Sequence, residues 1–375
     1  VSAHAGIIPD PIARQPWGML IPLLLLVGFG AAVLYSAAGG RMDPFASSHL
    51  IRFSVFLVMA SVIASLPRQF VRFMTYPAYV IVLLLLIGVE ILGNVRGGSQ
   101  RWLDLGFMVL QPSELMKPVI VVTLAQFYAS LPLGLIFGWR ALLVPGVLIV
   151  LPVSLVLLQP DLGTSLAIAF GGAVVMLLAG LPMKWFVGGG VAALAAAPLV
   201  YFFGLQDYQQ RRVLTMFNPE ADALGAGYHI NQSKIAIGSG GIFGKGFNNG
   251  SQSHLQYLPE PQTDFVFATM AEEWGLLGGL FVLAVFTVIL GWGLRVARES
   301  RDRFASLLAA GMVATIFFYV AVNLMMVMGM APVVGIPLPF MSHGGSSMMT
   351  NMICIGALMM VNRWNREAPR YGLSS

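Results

Sequence analysis

The stretch WGMLIPLLLLVGFGAAVLYSAA, residues 17–38, carries no charged side chain. Wound as a helix at about 1.5 Å per residue, it covers the roughly 30 Å of a bilayer's hydrocarbon. It is longer than a signal-peptide core and lacks a convincing cleavage site, so it reads as a retained span. The same character recurs outward along the chain, at Leu50–Leu66, Tyr76–Gly93, Ser113–Leu131, Arg140–Leu158, Thr164–Gly180, Trp185–Leu205, Phe265–Leu294, Phe304–Met328 and Ser347–Val361. The expected fold is therefore an all-α polytopic membrane protein of about ten transmembrane helices, in a single membrane domain over residues 1–375.

Composition agrees. The 375 residues are 57% hydrophobic and 10% charged, with a mean hydropathy of +0.81. Soluble domains carry about 25% charged residues, so this chain needs lipid as part of its solvent. The net charge is +5. Its Lys and Arg residues are scattered through short loops, which fits a positive-inside excess and argues against nucleic acid. One cysteine, Cys354, excludes an intrachain disulfide and a Cys-rich zinc site, and no HExxH pair is present.

An even number of spans puts both termini on one side. Arg14, Arg68, Arg72, Arg140, Lys184, Arg295, Arg298, Arg301, Arg303, Arg363, Arg366 and Arg370 fall on alternate connections, which marks that side as cytoplasmic. Three longer segments are then outside: 94–112, 206–263 and 329–346. Long loops in a compact protein tend to be functional, so the chemistry is expected on the outer face, with 206–263 as a large loop between spans seven and eight.

Each outer segment admits a structural and a chemical reading. In QPSELMK, 111–117, Ser113 is expected to cap a helix. Glu114 and Lys117 then share one face, as a salt bridge that admits both charges or as a pair lining a cavity. In RGGSQRWLDLG, 96–106, Arg101, Trp102, Leu103 and Asp104 form a short amphipathic segment, as an interfacial anchor or the wall of a headgroup groove. In QPDLGTS, 159–165, Asp161 serves as a helix cap, a functional acid, or both.

The long loop contains DYQQRR, 207–212, whose Arg211 and Arg212 suit bidentate phosphate recognition. An amphipathic helix is expected over Tyr228–Gly238, with Ile230, Ile235 and Ile237 apolar and Gln232 and Lys234 polar, lying at the membrane surface. GSGGIFGKG, 238–246, fails the Walker pattern. Ser239 occupies the first glycine position and Gly246 the magnesium-binding hydroxyl position. The run is then either a flexible turn or a looser nest that holds a pyrophosphate with Lys245. In LPEPQTDFVFATMAEE, 258–273, Thr263 is the expected cap, which leaves Asp264 in the first turn. Beside Phe265 and Phe267 that carboxylate could act as a base. In LPFMSHGGSS, 338–347, Ser342, Gly344, Gly345 and Ser346 open the last span, for tight packing or an anion. Met325–Met330 is core or lipid packing, or a surface for a partner helix.

Across nearly the whole chain these motifs, in this order, resemble the SEDS family (shape, elongation, division and sporulation proteins). The segments 232–241 and 244–246, with Lys234 and Lys245, resemble its elongation branch more than its division branch. The resemblance implies a peptidoglycan glycosyltransferase of the bacterial inner membrane. Its substrate would be lipid II, polymerised into β-1,4-linked glycan strands with release of undecaprenyl pyrophosphate. Its partner would be a class B penicillin-binding protein, the transpeptidase of the elongation complex. The family's essential acid in Thr-Asp-Phe maps onto Asp264. Its buried Glu–Lys pair maps onto Glu114 and Lys117, its Trp onto Trp102, and its Gln-Pro-Asp acid onto Asp161. His343 stands where Tyr is more usual, and Pro261-Gln262 where Arg-His or Ala-His is commoner. The leaving pyrophosphate needs cations, from Arg211, Arg212, Lys245 or a divalent metal (Mg or Mn) for which Asp264 is a potential ligand. The rival class is a lipid II flippase. The polar residues gather on one face, whereas a transporter needs access from both.

Overall fold

The structure is a computed structural model that describes residues 15–92, 94–96, 99–104, 109–204, 210, 214–215, 226–255, 257–258 and 260–368. Helices account for nearly all of it. In chain order they are α1 (Trp17–Ala37), α2 (Phe45–Ala64), α3 (Arg68–Leu92), α4 (Pro112–Ser130), α5 (Trp139–Leu158), α6 (Leu162–Leu178) and α7 (Met183–Leu199). Then follow α8 (Ala226–Gly240), the single turn α9 (Ser251–His254), α10 (Val266–Glu299), α11 (Arg303–Val327) and α12 (Gly345–Glu367). Among the described residues α1, α2, α3, α5, α10 and α11 are long and apolar enough to cross a membrane, and α6 and α7 are shorter apolar helices. The chain is a multi-pass membrane protein.

Several helices outrun their apolar stretches. α2 begins at Phe45 instead of Leu50, α3 at Arg68 instead of Tyr76, and α10 continues to Glu299. Hydropathy marks only what the hydrocarbon covers. Helical hydrogen bonds persist into the headgroup region, where Arg68 and Arg72 are tolerated at a helix end.

Polarity follows position. The membrane windows of α2, α3 and α5 are each 22% buried within the protein, so lipid covers the rest and apolar side chains face it. Inside, α4 packs against α3, α6, α11 and α12, and α12 against α2 and α11. They carry buried Glu114, Lys117, Thr123, Ser347, Thr350 and Asn351. In a membrane such groups persist only where protein satisfies them.

One end of the bundle gathers basic residues. Arg72 (2.9 Å) and Arg68 (3.6 Å) bind Asp302. Arg303 donates to the Leu131 and Ala179 carbonyls, and Arg363 to that of Leu66. The opposite end carries the motif-bearing loops. There the amphipathic segment around Trp102 proves to be β structure, in strands β1 (Asn94–Arg96), β2 (Ser99–Asp104) and β3 (Val109–Leu110). β2 pairs antiparallel with both, Asn94 opposite Trp102 and Leu103 opposite Leu110.

Candidate functional site

α4 opens differently from the expectation that Ser113 caps it. Gln111 is the cap position and Pro112 the first helical residue. Proline's fixed φ suits that place, and its missing N–H costs nothing there. Glu114 therefore lies in the first turn, buried, with Lys117 one turn on. Lys117 Nζ is 2.6 Å from Glu114 Oε1 and 2.5 Å from the Tyr319 hydroxyl, which in turn donates to Glu114 Oε2. The ammonium also lies 4.4 Å from the Tyr319 ring centroid. Thr350 of α12 donates to the Glu114 carbonyl at 3.1 Å. An ion pair out of water needs its remaining hydrogen bonds met, and Tyr319 supplies them from α11.

Asp161 caps α6, accepting from the Thr164 amide at 3.0 Å. Gln111 donates to its other oxygen at 3.2 Å, so the openings of α4 and α6 are tied together. Arg101 of β2 stands 3.6 Å from Asp161 Oδ2 and donates to the Gln159 carbonyl at 2.8 Å and to that of Pro160. Arg101 and Asp161 thus belong to one cluster at the mouth of the buried pair. Trp102 beside them is half-buried.

Asp264 was expected in the first turn of its helix, with Thr263 as cap. The structure corrects this: 261–265 are turns, Phe265 is the cap position and α10 starts at Val266. Thr263 is occupied elsewhere. Its hydroxyl contacts the Glu260 carboxylate at 3.3 Å, and its carbonyl accepts from Ser342 Oγ at 2.6 Å. Asn323 of α11 donates to the Asp264 carbonyl (2.9 Å) and the Ile336 carbonyl (2.7 Å). The His343 amide donates to the Gln262 carbonyl at 2.8 Å. Two loops are thus pinned to each other around Asp264, which is half-buried. Gly335 has φ +69°, and a Cβ there would sit 3.5 Å from Asp264 Oδ2. Glycine is the residue that takes that conformation without strain, and the distance places Gly335 in contact range of the carboxylate.

The segment 338–347 contributes unevenly. Ser342 is buried and also accepts from the Leu338 amide at 2.9 Å. Gly344 is the cap position of α12, with no side chain to cap it, and Gly345 and half-buried Ser346 open the helix. His343 Nε2 lies 3.2 Å from Arg52 NH1, and Phe45 packs edge-on to its ring. Burial, and then the Arg52 charge, push the His343 pKa below its ordinary value, which holds the ring neutral at pH 7.

The glycine run 238–246 docks backbone on backbone. α10 breaks at Gly275 (φ +62°), and a Cβ on Gly244 would sit 2.0 Å from the Glu273 carbonyl oxygen. Lys245 binds Glu272 at 2.6 Å and Ser251 at 2.8 Å. Glu272, fully buried, also accepts from the Ser251 and Gln252 amides at the start of α9. Lys245 thus fastens the loop to α10. α8 is present where the amphipathic helix was expected. It packs on α10 and α11, with Ile230, Ser233 and Ala236 buried, while Ile235 points away. Exposed Lys234 crosses over Gly329. Arg211 and Arg212 lie outside the described residues.

Three residues escaped the sequence reading: Tyr319, Asn323 and Arg52. Tyr319 and Asn323 are one turn apart in an apolar run. That i, i+4 polar pair was the available signal.

The sequence between residues 17 and 367 matches the cell cycle protein family FtsW/RodA/SpoVE. The chain belongs to that family. Peptidoglycan glycosyltransferase MrdB of Escherichia coli K12 is 42% identical over 94% of each chain, and that of Helicobacter pylori 35% over 92% of this chain and 88% of its own. Among solved structures, a chain from a peptidoglycan synthase complex that coordinates polymerization and crosslinking superposes with TM-score 0.81. It is 30% identical and covers 94% of this chain and 98% of that one. The rod shape determining protein RodA of Thermus thermophilus gives TM-score 0.71 at 29% identity, covering 93% and 97%. The FtsW/RodA/SpoVE fold thus extends over essentially the whole chain.

Proposed function

We propose that this chain is a peptidoglycan glycosyltransferase that polymerises lipid II into β-1,4-linked glycan at the outer face of the bacterial inner membrane. Its ten spans leave both termini in the cytoplasm and form one domain, in which 206–263 is the large periplasmic loop. The observation that carries the reading is the clamp around Asp264. A carboxylate stands just before a helix, on a loop fixed by Asn323, Ser342 and His343, beside a cluster of buried polar residues. The names of the relatives support the same chemistry.

In this reading Asp264 takes the proton of the acceptor sugar's 4-hydroxyl. That oxygen attacks the anomeric carbon of the growing glycan from the face opposite the leaving group. The C–O bond to the polyprenyl diphosphate breaks, its electron pair departs with the diphosphate, and the product is inverted. Arg101 and Asp161 line the approach, with Trp102 at its edge, while Glu114, Lys117 and Tyr319 hold the helices that frame it. Among the described residues no group of three or more His, Cys, Asp or Glu stands close enough to hold a metal ion. Asp264 would then offer a divalent cation one protein ligand in a shell completed largely by the substrate's phosphates and water. A class B penicillin-binding protein would cross-link the product, consistent with the structural likeness to a synthase complex.

The test is lipid II polymerisation by wild-type and Asp264→Asn protein, each purified with its penicillin-binding partner and the transpeptidase blocked. Glycan ladders from wild type alone are expected. Equal ladders from both proteins would remove Asp264 from the chemistry, and their absence from a correctly assembled wild type would favour lipid transport.

A further inference from the structure

Arg52 lies in the eighth position of α2, inside a membrane-crossing helix. Arg52 is half-buried and two residues inside the apolar stretch that begins at Leu50, where an arginine pairs with an acid, faces a cavity or reaches the headgroups. Here, among the described residues, its hydrogen-bond partner is the neutral imidazole of His343, and no carboxylate stands within ion-pair distance. One of its five N–H donors is thus used. The guanidinium lies against the opening of α12, with Cζ, Nε and NH1 each 3.7 Å from the place a Cβ on Gly345 would take. That helix is 23 residues long, and its cap, Gly344, has no side chain to satisfy the first amides. A helix start carries positive potential and unfilled N–H groups. Among the described residues a cation and a helix start thus meet with no carboxylate between them, and half-buried Arg52 keeps accessible donors for an anion.

The surroundings narrow the anion. The Phe45 ring, edge-on to His343, and the apolar character of α2 put apolar surface beside the cation, which suits a ligand carried in the membrane. His343 and Ser342 are bonded through Gln262 and Thr263 to the loop that carries Asp264, so the cation adjoins that acid. The planar fork of Arg and a row of amides match phosphate oxygens.

We propose that Arg52 and the opening amides of α12, with His343 orienting the guanidinium, bind a phosphate-bearing lipid, namely the diphosphate of a polyprenyl-linked substrate or product. This rests on the glycosyltransferase reading for the identity of the lipid. It moves the charge that receives the leaving group from Arg211, Arg212 or Lys245 to a residue on α2. The role is binding and neutralisation; no proton passes through Arg52.

The test uses the full chain in nanodiscs, as wild type, Arg52→Gln and Arg52→Lys, with three probes: a short-chain polyprenyl diphosphate, the matching prenol, and inorganic pyrophosphate. Arg52→Gln is expected to weaken the polyprenyl diphosphate about tenfold or more, the scale of a lost charge-assisted hydrogen bond. Arg52→Lys should fall between, and prenol binding should not change. Equal diphosphate affinity in wild type and in either folded variant overturns the site. Inorganic pyrophosphate competing as well as the lipid overturns the membrane-borne source. If neither variant folds, hydrogen exchange on wild type decides: the amides of 345–347 gain protection with the diphosphate, and no gain overturns the proposal. Binding needs no glycan synthesis. Arg52-dependent binding by a chain that makes no glycan would leave the site standing and sink the enzyme reading. Normal glycan synthesis with binding unchanged in Arg52→Gln would sink the site alone.

Discussion

Glu114 and Asp264 are acids at the same end of one bundle, and their surroundings differ in kind. Glu114 is held through its side chain, one oxygen on Lys117 and the other on Tyr319, in a nearly dry interior. Asp264 is held through its backbone, by Asn323 from α11 and by neighbours bonded to Ser342 and His343. An acid whose oxygens are both committed binds helices together. The loop that carries Asp264 is positioned by main-chain bonds that do not run through its carboxylate. Glu272, two turns into α10 and saturated by Lys245, Ser251 and Gln252, falls with Glu114.

The sharpest break would come at Asp264. Asp264→Asn keeps the shape and removes the base, so polymerisation should fall by about 10²–10⁴. The melting temperature should fall less than in the Glu114 variants, since the Asn323 bond to the Asp264 main chain is untouched. A large loss of stability would put Asp264 in the same class as Glu114.

Glu114 should behave in the opposite way. Lys117→Met or Glu114→Gln leaves one buried partner uncompensated, which costs about 3–5 kcal/mol. The double variant should recover part of that, because it removes the stranded charge. Thermal unfolding of the four proteins in one nanodisc preparation measures the coupling. Additive losses would mean that the pair carries no mutual energy and that the contrast with Asp264 is false.

The sequence disclosed these two regions unequally. The apolar runs located the long helices because lipid selects for them residue by residue. They misplaced the ends of α2, α3 and α10, where helical hydrogen bonding continues beyond the hydrocarbon. Glu114 and Lys117 were legible because they are three apart on one helix. Tyr319, which completes them, is 202 residues from Lys117, and no local pattern connects the two. The clamp on Asp264 was hidden for the same reason, since Asn323, Ser342 and Gln262 meet only after three segments fold together. Local capping rules also failed there, because Thr263 spends its hydroxyl on Glu260 and its carbonyl on Ser342. Arg52 sat in plain view inside an apolar run, and only its neighbours show why it matters.

Asn323 tests whether the backbone hold on Asp264 has a catalytic consequence. Asn323→Ala removes two donors and leaves the carbonyls of Asp264 and Ile336 to find others. Displacing a catalytic group by about 1 Å can cost up to about a hundredfold, so kcat should drop by about ten- to a hundredfold. KM should change little, because Asn323 is buried behind the loop. An unchanged kcat in a folded protein would show that the loop keeps its place without α11.

The smallest effect separates the two regions by pH. His343 has a depressed pKa, chiefly from burial and then from Arg52, so between that value and about 6.5 the unfolded chain binds a proton that the folded chain refuses. Its contribution to stability is therefore present above about pH 6.5 and is lost as the pH falls below it. His49, buried one turn before Arg52, faces the same cluster and is common to every variant compared. Melting temperatures from pH 7.5 to 5 should fall more in wild type than in His343→Gln. Arg52→Gln should lie between them, because it removes the second cause and leaves the first. Protonating His343 places a charge beside Arg52 and works against the bond from its amide to Gln262, two residues from Asp264. Polymerisation should then decline over the same acid range in wild type and decline less in His343→Gln, provided the Glu114 cluster is unaffected. Parallel acid profiles in the two proteins would place the sensitive group elsewhere and leave the clamp indifferent to His343.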